Sequence, residues 1–294
     1  MTSSLSLQAS LRQFFALFPL YTHGPVLSPY TAKPVRSPTL WIHSPWDAEA
    51  DVLSSDVECL KWQAYLALRG VTDVDVRWDM ASEGAIDARL PNLHVPPKEG
   101  EAGGGDLLPA HLIREWVDGR VGGGEGPLEG YVDEAARDEG RAWVALMEGN
   151  VHAALTISEP PSFNLWNILS PYSEKPRSVE TMINPPPAPF TGISSLLPPY
   201  GSHVDRATIE LQYREAIASL SERLGTDKWF LGSTSRAAYS GPTALDALIF
   251  AYLHCILHAK DNTIRFEVTR RVNLVAWERR VQSQVRAAFQ RVAP

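Results

Sequence analysis

At 294 residues, with 44% hydrophobic and 21% charged side chains, the chain has the composition of a folded protein with length for one large domain or two ordinary ones. A net charge of −7 does not suit a nucleic-acid binder, so no nucleic-acid partner is expected. Two cysteines, Cys59 and Cys255, cannot build a disulfide framework, which fits a reducing compartment.

Charge is uneven along the chain. Residues 1–46 hold Arg12, Lys33 and Arg36 and no acid, whereas residues 262–294 hold seven arginines and two glutamates. Such asymmetry points to a polar partner or surface, or to a solvated helix face.

Residues 5–18, LSLQASLRQFFALF, put Leu7, Leu11, Phe14, Phe15 and Phe18 on one helical stripe. With no acid and several serines the segment also has the look of a transit peptide. A proline-rich arm, FPLYTHGPVLSPYTAKPVRSP, follows where a cleaved leader would give way to a domain. We therefore read residues 1–38 as a retained helix and arm, docking either on a partner or on their own domain. Phe14, Phe15, Phe18, Tyr21 and Tyr30 are its candidate partner-interface residues.

TLWIHSP, 39–45, alternates as a strand. Ser55 or Asp56 can then cap a helix that runs through Arg69 and ends at Gly70. VDVRWD, 74–79, and LPNLHV, 90–95, predict a second and a third strand. Pro91 stands where thioredoxin-like domains hold a proline, usually cis. Two glycine-rich stretches, GEAGGGD and VGGGEGP, flank a predicted helix, LPAHLIREWVDG. Neither is a phosphate loop, because no Gly-Lys-Ser/Thr follows. The β-α-β-Pro-β order predicts a thioredoxin-like domain over 39–125.

Residues 126–294 are predicted as helical, with a proline-rich insert at about 160–200. The helices are LEGYVDEAARDEGRAWVALMEGNVHAAL, DRATIELQYREAIASLSERLG, GPTALDALIFAYLHCILHA and one last helix over about 262–291. The third is the longest apolar run, but Asp246, His254 and His258 interrupt it, so it is a core helix and not a membrane span. Thr243 and Asp246 form an S/T-x-x-D capping box at its start. The insert's SFNLWNILSPY gives Phe163 and Trp166 as candidate anchors of an interface, Trp166 alternatively completing the core. In the last helix an apolar stripe (Ile264, Val268, Val272, Val275, Val281, Val285, Phe289) sets off Arg270, Arg271, Arg279, Arg280 and Arg286. That arginine face suits anionic lipid headgroups or an acidic partner.

A thioredoxin-like half followed by an all-helical half resembles the glutathione transferases, which fixes the expected fold class as α+β followed by α. Those enzymes need a Tyr, Ser or Cys at the end of the first strand, where this chain reads IHSPWD. Ser44 is chemically possible, but Pro45 follows it. Cys59 lies a turn inside the helix on an apolar face, beside Glu58, which would raise its pKa. The acid-Ser pair that grips glutathione would fall on GDLLPAHL, where Asp106 is followed by Leu107. No catalytic residue and no cofactor are expected. His254 and His258 have the i, i+4 spacing of a metal pair, but no third ligand is legible nearby and no metal is expected.

DVECLKWQAYLALRG, with its Glu-Cys-Leu, resembles the first helix of the metaxins, and EGRAWVALMEG and KWFLG…GPTALDALIFAYL resemble further metaxin segments. The resemblance runs over about 39–290, apart from the proline-rich insert. The arm and first strand are most similar to the fungal receptor subunit of the mitochondrial outer-membrane sorting and assembly machinery. What this implies is a peripheral protein on the cytosolic face of that membrane, without turnover. It would cap the central β-barrel insertase subunit beside a second metaxin-like subunit and receive β-barrel precursors through their β-signal. A divergent glutathione-dependent transferase using Ser44, and a cytosolic glutathione-transferase-like scaffold, are the alternatives.

Overall fold

Leu40, Val76 and Leu93 face one another across three strands and begin the core of a small mixed sheet. A computed structural model describes residues 35–97, 105–121, 131, 133–158, 204–231 and 241–289. Phe14, Phe15, Phe18, Tyr21, Tyr30, Phe163 and Trp166 lie outside the described residues. Strands β1 (Thr39–Trp41), β2 (Asp75–Arg77), β3 (Asn92–Val95) and β4 (Asp106–Pro109) run in the order β2-β1-β3-β4. β1 pairs parallel with β2 and antiparallel with β3, which pairs antiparallel with β4.

Parallel pairing demands a crossover, supplied by α1 (Val57–Leu68). Asp56 caps α1, its Oδ2 accepting the Cys59 N–H at 2.9 Å. Gly70 follows at φ 79°, a left-handed conformation that costs glycine nothing. The Leu90–Pro91 peptide is cis, immediately ahead of β3. β4 was not expected. It lies in DLLP, which carries no apolar-polar alternation, and pairing to β3 makes it a strand.

α2 (Ala110–Val121) follows β4 directly. α3 (Glu134–Leu146) passes through a π-turn, Met147–Val151, into α4 (His152–Ser158). α5 (Arg206–Leu224) and α6 (Ala244–His258) come next, and every α6 residue from Leu245 to Ile256 is buried. A helix apolar all round belongs at the centre of a core. α1 packs against it, as do the two helices that follow it. Among the described residues no helix is long and apolar enough to cross a membrane.

The expected last helix is two helices, α7 (Asn262–Thr269) and α8 (Val272–Ala288). Arg271 interrupts them in an extended conformation, φ −104° and ψ 92°, and its guanidinium bonds back to the Glu267 carbonyl. The break resets the helical phase. Val272, predicted inward, is 78% exposed, while Leu274 and Trp277 take the buried face.

Candidate functional site

The end of β1, the loop to residue 56 and the first turn of α1 form one hydrogen-bonded unit. The Ser54 hydroxyl donates to the His43 carbonyl at 2.9 Å, and the Ser55 hydroxyl to the Ser44 carbonyl at 2.6 Å. Buried Gln63 of α1 clasps the loop from below, accepting the Ser54 N–H and donating to the Val52 carbonyl, each at 2.8 Å. At the far side Asp51 accepts from Arg286 Nε of α8 at 3.1 Å. The loop is thus fixed to both halves of the fold.

Cys59 sits beneath this loop with no exposed surface. Although distant in sequence from the first strand, it is adjacent in space: its Sγ accepts the His43 N–H at 3.5 Å. Burial drives the thiol pKa far above its ordinary value, and the Asp56 carboxylate adds to the rise. Glu58, the acid that sequence proximity suggested, is engaged elsewhere, with Lys61 Nζ at 2.6 Å and Trp62 Nε1 at 3.0 Å. The thiol is held protonated, which removes its nucleophilic form. Ser44, by contrast, is exposed. Ligand atoms of His43, Asp56 and Cys59 all lie within 4.8 Å of one another, a grouping that sequence spacing conceals because it joins a strand end to a helix start.

Asp106 is not at the start of α2. It opens β4, and the strand-to-helix junction reads Pro109, Ala110, His111. That junction offers neither an acid nor a hydroxyl.

Thr243 caps α6, and Asp246 lies wholly buried beside it. Its Oδ2 accepts the Thr243 N–H at 2.8 Å and the Thr243 hydroxyl at 2.9 Å; its Oδ1 accepts the Phe230 N–H at 2.9 Å. His254 Nδ1 lies 2.6 Å from Glu278 Oε1 of α8, a buried partner that sequence reading missed. Its signal was an acid inside the apolar periodicity of α8, beside Trp277 and one turn before Val281. Trp46 stacks on His258 at 4.7 Å and leans on His254 at 5.6 Å. Burial lowers the His254 pKa against the pull of Glu278.

Arg270, Arg271, Arg280 and Arg286 of the predicted basic face have intramolecular partners. Glu267 takes Arg270 at 2.7 Å and Arg271 at 3.1 Å. Arg280 bonds the Lys228 carbonyl and lies over the Trp229 ring. Arg279 is exposed. A separate cavity of about 420 Å³ opens between α1, α2, α3 and α6, with Trp62, Tyr65, Arg114, Arg141 and Glu148 in its wall.

Residues 213–281 match the family described as glutathione S-transferase, C-terminal domain. With the mixed sheet ahead of those helices, the fold is glutathione-transferase-like. No curated protein matches the chain. Similar solved structures include the β-etherase LigF from Sphingobium sp. strain SYK-6, at 14% identity, 86% of this chain, 98% of that one and a TM-score of 0.49. Ure2p in complex with glutathione is 11% identical over 95% of this chain and 98% of its own, with a TM-score of 0.47. Glutathione transferase Omega 3C from Trametes versicolor is 9% identical over 88% and 87%, with a TM-score of 0.45. Likeness at this level says nothing of activity.

Proposed function

We propose that this chain is a non-catalytic, glutathione-transferase-like binding protein. The observation that carries the reading is at the β1–α1 junction. The thiol there is buried and held protonated, under a loop fixed to α1 and α8. The bare Pro109-Ala110 junction between β4 and α2 supports it as well. Within that class, the metaxin-like segments support a peripheral subunit of the mitochondrial outer-membrane β-barrel assembly machinery. It would cap the insertase beside a second metaxin-like subunit and receive β-signals on the cytosolic face.

Affinity purification of the carboxy-terminally tagged chain from outer membranes in mild detergent tests this. Stoichiometric recovery of a β-barrel protein and a second metaxin-like chain is the expected result. Recovery of the protein alone, from the soluble fraction, would overturn the mitochondrial assignment. One observation favours a second reading: Ser44 is exposed in the loop that follows the first strand. Retention on immobilised glutathione, with thiol conjugation lost in Ser44→Ala, would establish an enzyme in its place.

A further inference from the structure

We propose that His43, Asp56 and Cys59 bind a divalent transition-metal ion of the zinc type, bridging the end of β1 and the first turn of α1. The three side chains offer an imidazole nitrogen, a carboxylate oxygen and a sulfur, the donor set that zinc accepts. With bonds of 2.0–2.3 Å, tetrahedral geometry separates such ligand atoms by roughly 3.3–3.6 Å. The observed atoms all lie within 4.8 Å, so closure asks for about 1 Å of movement. His43 lies past the end of β1, outside any strand or helix, and its side-chain rotation can supply that movement.

Charge favours the assignment. A dication with one thiolate, one carboxylate and a neutral imidazole sums to zero, the balance that a partly buried site tolerates. Asp56 caps α1 through Oδ2 alone, and a carboxylate has lone pairs on both oxygens, so capping and ligation are compatible. The His43 N–H that already meets the sulfur would become an outer-shell bond to the bound thiolate. Binding exchanges the Cys59 S–H bond for a metal–sulfur bond and releases the proton to solvent, with no change of oxidation state. Three protein ligands leave one coordination position for water or an external donor. The bound ion would clamp the loop that carries Ser44 and Trp46. This assignment does not rest on the adaptor reading above.

The test is titration of cobalt(II), then zinc(II), into the reduced, metal-free, full-length chain. One equivalent of cobalt should produce a sulfur-to-cobalt charge-transfer band in the near ultraviolet with tetrahedral visible bands. Zinc should displace both, and binding should acidify a weakly buffered solution. Cys255→Ser should keep the charge-transfer band and Cys59→Ser should lose it. His43→Ala should weaken cobalt binding at least about tenfold while far-ultraviolet circular dichroism stays that of the native chain. No charge-transfer band with excess cobalt, or a band that survives Cys59→Ser, would overturn the proposal. If Cys59→Ser does not fold, the His43→Ala affinity decides, and an unchanged value refutes it.

Discussion

Replacing Asp246 by Asn removes one acceptor oxygen from a buried site where three donors converge. The Phe230 N–H meets one carboxylate oxygen, and the Thr243 N–H and hydroxyl meet the other. An asparagine amide offers one carbonyl oxygen, and its NH2 must face whichever donors that oxygen does not serve. Turned toward Phe230, the NH2 orphans one buried N–H; turned toward Thr243, it orphans an N–H and a hydroxyl that can rotate away. Each orphaned buried donor costs about 1–3 kcal/mol. Relief of the buried charge, whose desolvation raises the Asp246 pKa, returns part of this. With the amide in the orientation that orphans one N–H, the expected net loss is about 1–2 kcal/mol. Thr243→Ala removes only the hydroxyl donor and leaves both N–H bonds, so it should cost about 1 kcal/mol. Urea unfolding followed by tryptophan fluorescence reads both, since Trp229 and Trp277 pack edge-on in this region. The reasoning fails if Asp246→Asn lies within about 0.5 kcal/mol of the native chain, the range of a neutral surface change. It fails equally if Thr243→Ala costs more than Asp246→Asn.

Burial depresses the His254 pKa, so between the folded and unfolded values the unfolded chain holds the extra proton. Stability from this group is full above about pH 6.5 and falls as pH drops from there toward the folded value, by at most about 1.4 kcal/mol per unit. His254→Gln should flatten the fall in urea midpoints between about pH 7.5 and 5.5, and an unchanged slope would assign it to other groups. Cys59 and Cys255 are both buried, so neither should react with a disulfide reagent in the native protein and both should react in denaturant. Rapid native labelling of Cys59 would contradict its placement. Val268→Ala, at a fully buried position, should cost about 2 kcal/mol, while Val272→Ser at the exposed start of α8 should stay within about 0.5 kcal/mol. Equal costs would restore the single continuous helix.

The first three strands and the α1 cap were legible because they rest on local chemistry: Asp56 and Gly70 bound a helix between two apolar runs, and Pro91 precedes the third. β4 was not, because its strand state comes from pairing with β3 and not from its own pattern. The break at Arg271 was hidden for a related reason. The residues around it have ordinary helical composition, and the contact that stabilises the interruption, Arg271 with Glu267, runs along the helix at the same spacing as a helix-favouring ion pair. At the candidate site the failure was one of distance. His43 and Cys59 are separated by a loop whose closure depends on Ser54, Ser55 and Gln63, none of which announces its partner in sequence.

The arginine excess of the carboxy-terminal region bears on how such a protein would meet a membrane. A juxtamembrane Lys or Arg contributes about 1 kcal/mol of attraction to anionic lipid only while its charge faces the headgroups. Glu267 takes two of these arginines and Asp51 a third, and Arg280 is folded over Trp229. These contacts use the charge to hold α7 to α8 and α8 to the β1–α1 loop. Arg286 among them serves the clasp over the candidate site. On the described residues, these arginines brace α7, α8 and the β1–α1 loop while keeping part of their surface exposed.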